Sequence, residues 1–488
     1  MLLRLSSALA LTALLGLPTT AQTSSPRVDA SVDCQTGITS IAWPADAPIW
    51  TLDALPPNRS SGSDGSGLEL RDVQYRGKTV LGRGHAPILN VDYDPGSSCN
   101  CYRDWSDSSF RFEVDEVSGT TQTCTGGGGA FSFTEADPGS VRTTCETADE
   151  FGNYQDVGSY TGIAAEDFGD VLVLTTHYNA GWYRYRVKWY LYEDGRIRPE
   201  FTYGHTGNFC TESARNHHVY WRFDFDIEGS DNDRIVEIDA AGNEETIATE
   251  IAQQYGDAAA WAVMDTETGR GYRLTPGPEK AMNIGSEGDH VLPGTERTFA
   301  FADVISLKYD AGELDDRFAQ RPFSCAAAFE YPGASDPAML NAESIDGEDV
   351  VMWYRSGTRR PGSLPNGNGD FFCRILGPTL TPVGEWATNV DAEPLPEAPA
   401  ARAALQAYPN PFEQNATVRF SVEEAQRVTV TVYDALGREV SVLYADEVAA
   451  GQEEFLSFDA AGLPAGVYTV RLSGAADIQL SRQIVLTK

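Results

Sequence analysis

Eight cysteines, six histidines and a pair of aspartates two residues apart are the positions of this chain with most chemistry in reach. The cysteines are Cys34, Cys99, Cys101, Cys124, Cys145, Cys210, Cys325 and Cys373. No Cys-x-x-Cys pair occurs, and Cys99-Asn100-Cys101 is a poor metal signature, so the even count favours disulfides over zinc wherever the compartment is oxidising. Spacing alone does not reveal their pairing. The histidines are His85, His177, His205, His217, His218 and His290. Around them, Val219, Trp221, Phe223, Phe225 and Ile227 alternate with Tyr220, Arg222, Asp224 and Asp226. In a strand that places Asp224 and Asp226 on one face. No Gly-x-Ser-x-Gly elbow and no phosphate loop after a strand is present. Gly126–Gly129 reads as a flexible turn rather than a nucleotide cradle.

The elements that must position these residues are strands. Val171–Leu174 is an apolar run. Tyr183–Tyr192 is aromatic and alternating, Glu193–Gly195 is a turn, and Arg196–Tyr203 is the returning strand of a hairpin. Long amphipathic helices and internal repeats are absent. The expected fold class is all-β: a large antiparallel sandwich followed by a small immunoglobulin-like sandwich. Hydrophobic residues make up 41% and aromatics 10%, enough for real cores. The formal net charge is 36 − 71 = −35, and only 5 of the 36 basic residues are lysine. That excludes binding nucleic acid by phosphate neutralisation and argues against docking on anionic lipid. Acid-rich, lysine-poor composition suits a chain exposed to high salt, or an ordinary acidic secreted protein.

Residues 1–21 read as a signal peptide. Arg4 is the charged flank, Ala8–Leu17 the apolar stretch, and Thr19–Ala21 the small-residue cleavage site. No run is long and apolar enough for a transmembrane helix. Asp391–Ala400 is rich in proline, alanine and glutamate, and residues 386–404 read as a linker. The body is then 22–385. After the linker, about seven short strands are expected in a region with no cysteine. Tyr408–Phe412, Val432–Glu439, Leu463–Tyr468 and the closing Gln483–Lys488 resemble the C-terminal sorting domain of type IX secretion substrates over 405–488. The resemblance implies the type IX secretion machinery as a partner. It places the protein outside the cell, or on the outer-membrane surface, of a Gram-negative bacterium.

The body resembles, more diffusely, the catalytic domain of copper amine oxidases over roughly 60–385. The matching segments run in the same order: Val73–Val80 and Ile88–Pro95, Gly181–Tyr185 with Trp189–Ile197, His217–Gly229, and Asp349–Trp353 with Gly357. The family holds one copper with three histidines, two of them as His-x-His on a strand. Those positions fall on Arg215 and His217, and the third on Arg360. Arginine is a permanent cation with no lone pair to give a metal. His217 is thus the sole retained ligand position, and His218 cannot substitute because adjacent strand residues point apart. The family's quinone precursor aligns with Tyr183, whose flanking residues have changed. Its catalytic base aligns best with Asp107, and next best with Asp104. Copper and topaquinone are therefore not expected here.

A peripheral calcium-type site of the family does match. Its positions are Asp224, the Phe225 carbonyl, Asp226, Asp349 and the Val350 carbonyl, an all-oxygen set suited to a hard cation. The resemblance also implies a Cys124–Cys145 disulfide. The functional expectation is a secreted or cell-surface protein of amine-oxidase fold without oxidase activity, acting as a binding or surface module for an unidentified small-molecule or polymer ligand. Two alternatives stand beside it. One is an active copper- and quinone-dependent primary amine oxidase with ligands drawn from His205, His217, His218 and His290. The other is a glycan-binding sandwich using Trp182, Tyr183 and Tyr185 as stacking surfaces. Family members commonly form homodimers, although the usual dimer-arm segments are not recognisable.

Overall fold

Alternating β-branched and aromatic residues give strands a reason to bury one face at a time, and nearly every described segment of the chain is a strand. The computed structural model describes residues 27–62, 65–93, 99, 101–107, 117–124, 131–141, 162–205, 210, 213, 215–277, 303–310, 342–360, 374–386, 403–408, 410–412, 415–422, 424, 426–448, 453–460, 462–474 and 479–487. The expected signal peptide, His290, Cys145, Cys325 and Cys373 lie outside them. No described helix is long and apolar enough to cross a membrane.

Two large sheets, of ten and twelve strands, carry the body. In the first, the Arg215–Phe225 strand is flanked by Lys78–Tyr93 and Val350–Arg360, both antiparallel. In the second, Val171–Ala180, Tyr183–Tyr192 and Ile197–His205 form the meander that the alternation and the turn at Glu193–Gly195 imply. The first hairpin of that meander turns on two residues, because Ala180 pairs with Tyr183. Gly181 there has φ of 55°, the left-handed conformation such turns require.

The sheets pack face to face. Trp189 from one meets Trp221 from the other, edge to face with ring centroids 5.6 Å apart. Their indole N–H groups donate to the Leu68 carbonyl at 3.1 Å and to Ser356 Oγ at 3.2 Å. A buried indole needs such a partner, since an unpaired donor in the core costs about 1–3 kcal/mol. The other faces of these central strands are covered too. All eleven residues of Arg215–Phe225 and all ten of Tyr183–Tyr192 are buried.

Seven strands form the C-terminal unit, in the number expected. A three-stranded and a four-stranded sheet enclose a separate core that includes Val418, Phe420, Val430, Val432, Tyr468 and Ile484.

The disulfides correct one expectation. Cys124 bonds Cys34, not Cys145, and a second bridge joins Cys99 to Cys210. Cys124 ends the edge strand Gly119–Cys124 of the twelve-stranded sheet, whereas Cys34 sits in the turn after the Asp29–Val32 strand of the other sheet. The bond therefore staples one sheet to the other across 90 residues rather than closing a local loop. Mass mapping of the unreduced protein should recover Cys34–Cys124 and Cys99–Cys210 peptides; a Cys124–Cys145 peptide would contradict the fold. Removing either bridge by Cys→Ser should lower stability by roughly 2–5 kcal/mol.

Candidate site: an aromatic pocket and a carboxylate cluster

Between the sheets, at the hairpin end of Tyr183–Tyr192, side chains from both sheets meet. Tyr183 and Tyr93 share a hydrogen bond between their hydroxyls at 2.8 Å, and Trp182 Nε1 donates to the Tyr93 hydroxyl at 3.3 Å. Tyr185 stacks beside Tyr183, with centroids 5.6 Å apart, and donates its hydroxyl to the Asp104 carboxylate. His217 lies flat against Tyr203 at 3.7 Å and takes the edge of Tyr183 at 4.8 Å. The Arg215 guanidinium lies 5.6 Å from the centroid of the Tyr183 ring and donates to the Ser213 carbonyl at 3.0 Å. Arg215 and His217 have no solvent-exposed area, and Tyr183 retains 2%.

Burial sets the electrostatics here. It pushes the Asp104 carboxyl up to about 7, against the opposing pull of the Tyr185 hydrogen bond. It also holds the Tyr183 and Tyr185 hydroxyls well above the ordinary phenol range. Both rings are neutral, hydrogen-bonded phenols.

Of the two candidate bases, Asp104 rather than Asp107 joins the cluster. Burial alternates from Asp104 to Asp107, so Asp104 and Ser106 point inward while Trp105 and Asp107 are exposed. Arg360 stands directly opposite Arg215 in the register, and Thr358 opposite His217. The three copper-ligand positions of the sequence comparison are thus neighbours, but Arg215 offers a metal no lone pair. His218 faces the other way, with Nδ1 3.4 Å from Arg355 Nη1. His85 bonds Ser66, and His177 accepts from Arg186 Nε at 2.6 Å, both elsewhere. His205 stands opposite Tyr183 in the register. Among the described residues the convergent group of three metal-capable side chains is Asp224, Asp226 and Asp349, and Arg215 beside His217 does not suit copper.

The second cluster is on the outer face of the ten-stranded sheet. Carboxylate oxygens of Asp224, Asp226 and Asp349 lie within 4.8 Å of one another. The register explains this: Asp224 pairs with Val351 and Phe225 with Val350, which brings Asp349 beside Asp226. Phe225 and Val350 bury their side chains in the core and place their backbones next to the carboxylates. The Asp349 Oδ1 atom is buried without a hydrogen-bond partner. Desolvation, then repulsion from Asp224, pushes Asp226 up to about 6 and Asp349 up to about 7. Arg222 Nη1, 3.6 Å from Asp224, offsets one of the three negative charges. Gly82 supplies the space, since a Cβ there would sit 2.5 Å from Asp226 Oδ2.

Three participants escaped sequence reasoning: Tyr93, Tyr203 and Gly82. Tyr93 continues the inward phase of Leu89 and Val91 and was findable by alternation. Gly82 and Tyr203 carry no local signal, because their neighbours come from distant segments.

Residues 406–487 match the family described as secretion system C-terminal sorting domain. The chain is therefore exported, to the extracellular side or the cell surface. No curated protein matches the sequence. Similar solved structures include an amine oxidase of Aspergillus nidulans, at 16% identity, TM-score 0.47, and coverage of 78% of this chain and 56% of that one. A copper-containing benzylamine oxidase from Hansenula polymorpha follows at 13%, 0.49, 78% and 63%. A lysyl oxidase from Pichia pastoris gives 16%, 0.47, 77% and 56%. The chain thus spans about three fifths of the length of these enzymes.

The raised Asp104 makes a pH prediction. A carboxyl lifted in the folded state favours folding fully below its unfolded pKa near 4, and that contribution is lost as pH rises through about 7. Asp104→Asn, which mimics the protonated acid, should therefore gain on wild type between pH 5 and pH 8, by an amount on the order of a few kcal/mol. Denaturant titrations of both proteins at the two pH values would show it; parallel pH profiles would contradict it.

Proposed function

We propose that the protein is an exported surface module that works without copper or a quinone, its body braced by a calcium-type cation. The observation that carries this reading is Arg215. Its guanidinium occupies a ligand position of the resembled family and lies against the ring of Tyr183, the residue that family would convert. A fixed positive charge there repels a metal cation instead of binding it. Tyr183 then stays a phenol, and its bond to Tyr93 helps hold the two sheets together.

Asp224, Asp226 and Asp349 would hold the cation, with the backbone carbonyls of Phe225 and Val350 available beside them. Supporting this are the all-oxygen donors, the unpartnered Asp349 oxygen and the cradle that Gly82 leaves open. The three carboxyls outnumber the Arg222 guanidinium beside them, which leaves the cluster net negative as a divalent ion requires. A bound cation would cross-link the Arg215–Phe225 strand to the start of Val350–Arg360. The buried Tyr183 and Tyr185 rings are not available for stacking on a sugar, which leaves the glycan-binding alternative without two of its three rings.

Calorimetric titration of the chelator-treated protein should show one calcium per chain, with a higher melting temperature on binding. Gly82→Ala and Asp349→Asn should each weaken binding at least tenfold, the equivalent of about 1.4 kcal/mol. The copper-loaded, dialysed protein should release no peroxide from primary amines. Retained copper together with amine-dependent peroxide would overturn the proposal, and calcium binding that ignores both substitutions would remove its cation half.

A further inference from the structure

The strand Asn415–Ser421 turns Ala416, Val418 and Phe420 into the small C-terminal core and Thr417, Arg419 and Ser421 away from it. A strand face turned away from its own core is ordinarily solvated. Here Thr417 is 5% exposed, and Arg419 and Ser421 are 8% exposed. What covers them includes two turns of the body. Arg419 Nη1 donates to both carboxylate oxygens of Asp170, at 2.8 and 2.9 Å. Thr417 fills the space beside Gly139, where φ is +83° and a Cβ would lie 2.1 Å from Thr417 Oγ1.

Both turns are fixed from within the body. The buried Glu166 accepts the Gly139 N–H at 2.9 Å and the Val141 N–H at 3.3 Å. The Glu193 N–H donates to the Asp170 carbonyl at 2.9 Å, and the Gly169 N–H to Asp167 Oδ1 at 2.7 Å. The receiving surface therefore does not need to be organised when the sorting domain arrives.

We propose that the outer face of the three-stranded sheet is a docking surface for the chain's own body, and that the turns 137–141 and 167–171 are its receptor. The partner is intramolecular: a cationic side chain and a hydroxyl of the sorting domain meet a carboxylate and a side-chain-free glycine of the exported body. The Asp170 side chain is half exposed, so the ion pair stays open to solvent and salt, and the contact works as a reversible latch. Docking through this sheet leaves the four-stranded sheet, with the exposed Val442 and Val467, on the opposite side of the small sandwich. Removal of the sorting domain uncovers Asp170 and the Gly139 turn.

Small-angle X-ray scattering on the full chain tests this, because the N–H groups of both turns and of 415–421 are held within their own units and report no docking. Wild type should scatter as one compact particle. Arg419→Asp and Asp170→Arg should each raise the radius of gyration and the maximum dimension, while hydrogen–deuterium exchange at 428–432 stays as in wild type and shows the small core intact. The double variant, with the charges exchanged, should restore the compact profile. Thr417→Lys, which keeps the ion pair and overfills the space at Gly139, should expand the particle as the charge reversals do. Unchanged scattering in both charge reversals and in Thr417→Lys would overturn the proposal, as would an exchanged-charge variant that stays expanded.

Discussion

A strand buried on both faces has nowhere to send a charge. The Arg215–Phe225 strand is in that position, yet it carries Arg215, His217, His218, Arg222 and Asp224. Each must be satisfied within the protein, and much of the body's architecture follows from where alternation points them. Inward, Arg215 and His217 enter a pocket of phenols between the sheets. Outward, Arg222 and Asp224 join a layer with Asp226 and Asp349. One strand thus separates two polar clusters of opposite character, a fixed organic cation on one face and converging carboxylates on the other.

The inner cluster ties the two sheets together. Three of its rings come from the meander, Tyr183, Tyr185 and Tyr203, and they bind partners from the opposite sheet: Tyr93, Asp104 and His217. These contacts join the sheets by hydrogen bonds and ring packing at a depth where water cannot substitute. The outer cluster is electrostatically unfinished. Its carboxyls are pushed toward neutrality by burial and by one another, which is the condition a divalent ion relieves.

Much of this was legible in the sequence where period-two alternation carried it. The Tyr183–Tyr192 hairpin, the inward phase of Val219–Ile227 and the seven C-terminal strands all follow from local pattern. The meeting of Asp349 with Asp224 and Asp226 was implied by the family resemblance alone, since no local pattern links residues so far apart. The choice of Asp107 over Asp104 shows the limit. A three-residue difference in a strand-like segment changes the face, so the ranking turned on phase rather than on residue type. The Cys34–Cys124 bridge was illegible for another reason. It joins edge regions of two different sheets, and only their stacking brings the sulfurs together. Gly82 is the extreme case, since its importance lies in an absent side chain opposite residues more than a hundred positions away.

The claim at the centre of this account is that Arg215 has replaced the metal in the aromatic pocket. Electron paramagnetic resonance of the full chain, loaded with one equivalent of copper(II) and then passed through a desalting column, tests it most directly. The account predicts no protein-bound copper signal in wild type, and an axial signal with nitrogen couplings only when histidine is restored at both positions by Arg215→His with Arg360→His. An axial signal with nitrogen couplings from the wild-type protein would contradict it.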